Sequence, residues 1–241
     1  MTIHGLMKTT LLDYPGKVAS TIFLGSCNMR CPFCHNMDLV TGLDKIDPIP
    51  YKDVIKHLNL RKGVIDGVCI TGGEPTLQPD LEDLITEIKN MGLLVKLDSN
   101  GSKTDVLENL CSKNLIDYIA IDIKASFNKY PIVCGLQPPA FTENDIKSII
   151  NNVKNTVSLL KNQRSIPYEF RTTVVKEFHD EEEFKLIGNM LDGADAYYLQ
   201  NFVSSDFVPD KSLHAYSARE LNRFAEQLSD RIKTVGIRGV D

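Results

Sequence analysis

Along this chain a short β-branched run is followed by a helix-like run, and the alternation then repeats to the end. KVASTIFL (17–24), GVCITGG (67–73), LLVKLDSNG (93–101), YIAIDIK (118–124), YEFRTTVV (168–175) and AYYLQNF (196–202) have the length and residue types of strands. Between and after them, PYKDVIKHLNLRKG (50–63), PDLEDLITEIKNMG (79–92), DVLENLCSKN (105–114), ENDIKSIINNVKNTVSLLK (143–161), EEEFKLIGNML (181–191) and SARELNRFAEQLSD (217–230) read as helices. Several start with proline or acidic residues, and two stop at glycine. Such alternation admits few folds, chiefly parallel strands joined by right-handed helical crossovers. Six units are predicted, with IKTVGIRG (232–239) as a candidate seventh strand. That is too few for an eight-fold barrel and suits a partial (β/α)6 TIM-like barrel of the α/β class. There is no repeat and no low-complexity linker, so a single domain over residues 1–241 is expected.

Period-two reading gives each strand two faces. Ile119, Ile121 and Ile123 share one side of their strand, opposite Ala120, Asp122 and Lys124. Val95 and Leu97 oppose Lys96 and Asp98, Val68 and Ile70 oppose Cys69 and Thr71, and Arg171 and Thr173 alternate with Phe170, Thr172 and Val174. Helices packed outside would cover the apolar side, so the polar side must look inward. Burying Asp and Lys unpaired is prohibitive. The interior is therefore expected to be a wet ligand cavity.

Net charge is −5 with no basic run, which argues against a dedicated nucleic-acid binder. No uninterrupted apolar stretch reaches membrane-spanning length, and MTIHGLMKTTLLDYPGK lacks a signal-peptide layout. A cytoplasmic protein with reduced thiols is expected. The six cysteines then read as metal ligands plus scattered core thiols rather than as disulfides.

Three of them, Cys27, Cys31 and Cys34, fall within CNMRCPFCHN (27–36), while Cys69, Cys111 and Cys134 are isolated in sequence and read as small buried hydrophobes. Structural zinc usually takes four ligands from paired knuckles, and a cubane cluster normally takes four cysteines. Three thiolates from one loop would hold three irons of a cubane and leave the fourth iron open to a ligand. A zinc knuckle or a set of redox thiols is the alternative.

With Phe33 just before the last cysteine and GGEP (72–75) closing the second strand, the pattern resembles the radical S-adenosylmethionine (radical SAM) superfamily. The resemblance implies a 4Fe-4S cluster on Cys27, Cys31 and Cys34, whose open iron chelates the amino and carboxylate groups of S-adenosyl-L-methionine. Gly72, Gly73 and Glu74 would receive the amino group, the glycines allowing close backbone approach. Phe33 and His35 would sit beside the cluster. LDSNG (97–101) and IDIK (121–124) look like elements of the activating enzymes of glycyl radical enzymes, which makes Asp98, Ser99, Asp122 and Lys124 ligand-contacting candidates. Lys124 would complement the carboxylate, and the two aspartates could hold hydroxyls or a monovalent cation. These are also the inward-facing polar residues derived above. CPFCHN, with His35 and Asn36, and KTTLLDYPGKVASTIFLGSC resemble the activases of anaerobic ribonucleotide reductase and of pyruvate formate-lyase. The branch called anaerobic ribonucleoside-triphosphate reductase activating protein fits best. The likeness is dense over residues 5–124 and architectural beyond. The ferredoxin-like insert of some activases is absent, and Gln200 stands near where pyruvate formate-lyase activases carry histidine.

What this implies is an oxidoreductase that takes an electron from a donor such as flavodoxin or ferredoxin and cleaves S-adenosylmethionine to a 5′-deoxyadenosyl radical. The radical would generate a glycyl radical on a large partner, with anaerobic ribonucleotide reductase as first choice and neither nucleic acid nor membrane involved. A pyruvate formate-lyase-type activase, a radical SAM enzyme acting on a small molecule, and a non-catalytic metal or electron-transfer module are the competing readings. Elsewhere, EEE (181–183) reads as a solvated helix start, and His4, His57, His179 and His214 as surface or packing residues. Arg171 fits a ligand contact and a plain ion pair equally well. Replacing any one of Cys27, Cys31 or Cys34 with Ala is expected to lower iron content and abolish 5′-deoxyadenosine formation in anoxically reconstituted protein. Full turnover in any such variant would refute cluster ligation.

Overall fold

In the computed structural model, which describes residues 1–163 and 165–240, all seven expected strands form and lie side by side in chain order. One further strand was not anticipated. β1 (Ile3–Thr10) pairs antiparallel with β2 (Ala19–Leu24) at the edge of the sheet. Its sequence, IHGLMKTT, mixes Gly and Lys into a weak alternation, and its middle is only partly buried, as suits an edge strand. β3 (Gly67–Gly72), β4 (Leu94–Ser99), β5 (Tyr118–Asp122), β6 (Tyr168–Val174), β7 (Tyr197–Asn201) and β8 (Val235–Arg238) follow β2 in parallel register. The order β1 to β8 has no crossover out of sequence, and the sheet is open between its two edges. This is the partial barrel that the alternation required.

The helices are α1 (Met37–Thr41), α2 (Tyr51–Leu60), α3 (Leu81–Asn90), α4 (Thr104–Ser112), α5 (Tyr130–Val133), α6 (Glu143–Asn162), α7 (Glu181–Met190) and α8 (Ala218–Leu228). The short α1 and α5 have no periodic signature and escaped the sequence reading. The longer ones show their causes plainly. α3 buries Leu81, Leu84, Ile85 and Ile88, one stripe at helical spacing. α6 and α8 open on capping boxes, Thr142 with Asp145 and Ser217 with Glu220. The stripes cover the outer strand faces, where Val68, Ile70, Val95, Leu97, Ile119 and Ile121 are fully buried. Each such side chain contributes about 1.5–3 kcal/mol relative to exposure. At α7 one expectation needs correction. Glu181 and Glu182 are exposed, but Glu183 is buried and accepts hydrogen bonds from Ser126 N (2.5 Å) and Oγ (3.1 Å). No helix among the described residues is long and apolar enough to cross a membrane.

The inward face is layered. Toward the N-terminal ends of the strands, the fully buried Glu169 accepts both Arg238 nitrogens (2.7 and 2.8 Å) and the Tyr118 hydroxyl (2.8 Å). Arg238 also lies over the Tyr198 ring at 3.7 Å. This floor closes the interior below Arg171, two residues further along β6 on the same face. Removing one member of such a pair strands a charge out of water. Arg238→Met is therefore expected to cost about 3 kcal/mol in urea unfolding. Adding Glu169→Gln should recover most of the loss, and a wild-type urea midpoint for the single variant would show the pair contributes nothing.

Candidate functional site

The cysteine loop leaves the C-terminal end of β2 and is held at several points. Ser26 N donates to Leu39 O (2.7 Å), and Glu74 N donates to Ser26 O (2.8 Å) just before the first cysteine. Arg30 donates through Nη1 to the carbonyls of Cys27 (2.6 Å) and Met29 (2.8 Å). Arg30 N donates to Cys134 O (2.8 Å), at the end of α5. There Gly135 adopts φ +62°, and a Cβ would lie 2.1 Å from Arg30 O, so only glycine lets this turn dock on the loop. Past the last cysteine, Asn36 Nδ2 donates to Gly72 O (3.2 Å). The chain after β7 also reaches the loop: the His35 ring lies 2.7 Å from Val203 O through Nε2, and Asp210 N donates to Pro32 O (3.1 Å).

Glu74 is the tie between β3 and β4. Its carboxylate is fully buried and accepts from Thr76 N (3.0 Å), Thr76 Oγ1 (2.5 Å), Ser99 Oγ (2.8 Å) and Asn100 N (2.6 Å). Burial pushes its pKa up, and the four donors pull against that. The Glu74 side chain is thus spent on the protein itself and is not among the groups that line the cavity, whose border it shapes through the backbone. The glycines answer to a further constraint. A Cβ on Gly72 would lie 2.3 Å from Leu24 O, and one on Gly73 would lie 2.0 Å from Ser26 O. They are glycine because β3 presses on the backbone leading into the cysteine loop, not merely to admit a ligand.

Facing this loop across the barrel is a mutual ion network. Lys96 pairs with Asp98, Arg171 Nη1 reaches Asp98 at 3.1 Å, Arg171 Nε reaches Asp122 at 3.0 Å, and Lys124 Nζ reaches Asp122 at 2.9 Å. Burial works to raise Asp122, but Arg171 and Lys124 overcome it and hold its carboxyl below the usual range. Burial likewise works to lower Lys124, and Asp122 with the Cys31 thiol more than compensates. Arg171 stands between the two aspartates, where a monovalent cation had been considered. Its guanidinium is always charged. The backbone of Lys124 is fixed in turn by buried His179, whose Nε2 lies 2.9 Å from Lys124 O.

One cavity of about 230 Å³ gathers most of the expected residues: Cys27, Cys31, Phe33, Cys34, His35, Gly72, Gly73, Asp98, Ser99, Asp122, Lys124 and Gln200 all line it. Cys27, Cys31 and Cys34 thus border one shared space. Three soft thiolates with room beside them would suit an iron–sulfur cluster that keeps one iron open. The thiols are unequal. Burial pushes Cys27 up to about 12 and raises Cys34, whereas a hydrogen bond from Cys134 lowers Cys31. Cys134 is fully buried in the core, as expected of a small hydrophobe, and it also lies beside the loop. Sequence reasoning also missed Asn28, Asn100 and α5, while Thr173 lines the cavity as period two placed it. The only available signal was that NG in LDSNG follows two cavity residues.

These geometries agree with the comparisons to known proteins. A family model for the radical SAM superfamily matches residues 21–184. A protein of Methanocaldococcus jannaschii that carries the name of a glycyl-radical enzyme activating enzyme is 31% identical over 244 residues, covering 99% of this chain and 96% of that protein. A pyruvate formate-lyase-activating enzyme of Listeria monocytogenes is 30% identical over 131 residues, 51% of this chain and 52% of that enzyme. The chain thus spans about half the length of that second relative. In fold, Streptococcus suis SuiB bound to S-adenosylmethionine superposes with TM-score 0.66 at 15% identity, covering 91% of this chain and 52% of that one. TYW1 with a lysine–pyruvate adduct gives TM-score 0.61 at 20% identity, covering 88% and 73%. With the family model spanning well over half of its residues, the chain belongs to the radical SAM superfamily, whose cofactors are a 4Fe-4S cluster and S-adenosylmethionine.

Proposed function

We propose that this chain is a single-domain glycyl radical enzyme activating enzyme in which Cys27, Cys31 and Cys34 hold the cluster. The observation that carries this reading is the end-to-end likeness to a relative named for that activity. When bound, the cluster supplies one electron to the sulfonium and the nucleotide supplies the carbon radical that removes a hydrogen atom. The residues of the chain do the rest. Lys124 presents its ammonium, within 5.9 Å of the Phe33 ring, to the carboxylate of the methionine moiety. Asp98, Asp122 and Arg171, joined by Lys96 and Lys124, form a paired wall within one unit of neutral that orients polar groups of the nucleotide. Gly72 and Gly73 offer backbone at the end of β3, and Ser99 and Gln200 offer polar side chains from β4 and β7.

Asp98, Asp122 and Arg171 are consumed in pairing one another, so they leave no unpaired charge on that wall to recognise a small charged substrate. Above the loop, the segment after β7 carries Val203 (58% exposed) and Phe207 (65% exposed), tied down through His35 and Pro32. An apolar rim beside an open-edged sheet suits a protein loop bearing a glycine. The CPFCHN and KTTLLDYPGK segments resemble activases of both anaerobic ribonucleotide reductase and pyruvate formate-lyase, and the first is our choice of partner, with a flavodoxin or ferredoxin as electron donor.

Anoxic holoenzyme, reductant and S-adenosylmethionine are expected to yield 5′-deoxyadenosine and, with anaerobic ribonucleotide reductase added, a glycyl radical doublet in electron spin resonance. A doublet with pyruvate formate-lyase instead reassigns the partner, and nucleoside formation with no doublet from any glycyl radical enzyme defeats the activase reading. Lys124→Ala and Asp122→Asn are each expected to weaken S-adenosylmethionine binding tenfold or more, about 1.4 kcal/mol, with iron per chain unchanged. Wild-type affinity in both would remove the inward network from the binding site.

A further inference from the structure

Asn100 follows β4 and is 94% removed from solvent, and every polar atom of its side chain has a partner. Ser102 N donates to Oδ1 at 2.9 Å, which fixes which end of the amide is oxygen. Nδ2 must then face the cysteine loop. One of its hydrogens goes to Asn28 Oδ1 (2.9 Å) and the other to Cys27 Sγ (3.8 Å). Asn28 closes the ring by donating to Ser102 Oγ at 2.8 Å. From behind, Asn152 Nδ2 on α6 donates to Ser102 O (2.9 Å), and Glu74 Oε2 accepts Asn100 N (2.6 Å). The amide cannot turn without breaking this ring.

We propose that Asn100 is a positioning residue that tunes the reduction potential of the cluster by aiming a fixed N–H dipole at the Cys27 sulfur. It rests on Cys27 being a cluster ligand and is independent of which partner is activated. Reduction adds one electron, and much of the added negative charge falls on the sulfurs. A donor already pointing there favours the reduced state over the oxidised one, and hydrogen bonds to ligand sulfurs are among the recognised determinants of such potentials. The dipole is effective because Asn100 is buried and already held in place, so no reorganisation is needed. The asymmetry also has a use. Cys27 receives a side-chain amide from β4, the strand that brings Asp98 and Ser99 to the same cavity, so the cluster and the nucleotide pocket share one rigid support.

The test uses reconstituted holoenzyme without S-adenosylmethionine, so that contacts to the nucleotide do not enter. Asn100→Asp keeps the shape and the acceptor for Ser102 N but replaces the donor with an anionic oxygen, and Asn100→Ser replaces the amide N–H with a hydroxyl too short to hold the same aim, without adding charge. In spin-resonance-monitored redox titrations, the ratio of reduced to oxidised cluster at fixed poise should fall at least tenfold in Asn100→Asp, about 59 mV for a one-electron couple. It should fall less, in the same direction, in Asn100→Ser. Because a potential is independent of occupancy, clusters that do assemble report it even if iron content drops. Wild-type potentials in both variants would overturn the proposal. Absence of any redox-active cluster in the wild-type chain would overturn it too, by removing the ligand assignment beneath it.

Discussion

One buried carboxylate organises this molecule. Glu74 gathers donors from its own turn and from the end of β4, while its backbone N–H reaches across to the residue preceding the first cysteine. A carboxylate that dry would be prohibitive alone, and the four donors answer its loss of water. The result is that three consecutive strand ends, β2, β3 and β4, are locked into one surface. Everything the site needs then follows from sequence position: thiols after β2, glycine backbone after β3, serine and amide after β4.

The second organising feature is electrostatic. An interior built on alternating Lys and Asp seems wasteful beside an apolar one, because desolvating ions costs more than their attraction commonly returns. Here the charges are arranged as a chain, Lys96 to Asp98 to Arg171 to Asp122 to Lys124, that is neutral within one unit and reaches from the deep interior to the thiols. Arg171 is the hinge of that chain, since its fork meets both aspartates at once. Such an interior stays open and polar without being hungry for solvent ions.

Much of this was legible in the residues. The strand–helix alternation required a parallel partial barrel, and period two alone placed Asp98, Asp122 and Lys124 inside. The three cysteines with GGEP pointed to the cofactors. What remained hidden has a common physical cause: it depends on contacts between distant segments of short irregular chain. β1 is an edge strand with little alternation, and α5 is a single turn whose value lies in presenting Cys134 to Cys31. The part played by the Glu74 carboxylate is set by donors at the end of the next strand, Ser99 and Asn100, and leaves no mark near GGEP itself. The Asn28–Asn100–Ser102 ring joins residues more than seventy positions apart and leaves no local pattern.

The tether between His35 and Val203 spans 168 positions, most of the polypeptide. Loop-closing contacts of that length form late, after local helices and neighbouring strands have already condensed. The segment bearing the thiols thus gains its last wall only when the chain after β7 folds back onto it, once the sheet beneath has formed.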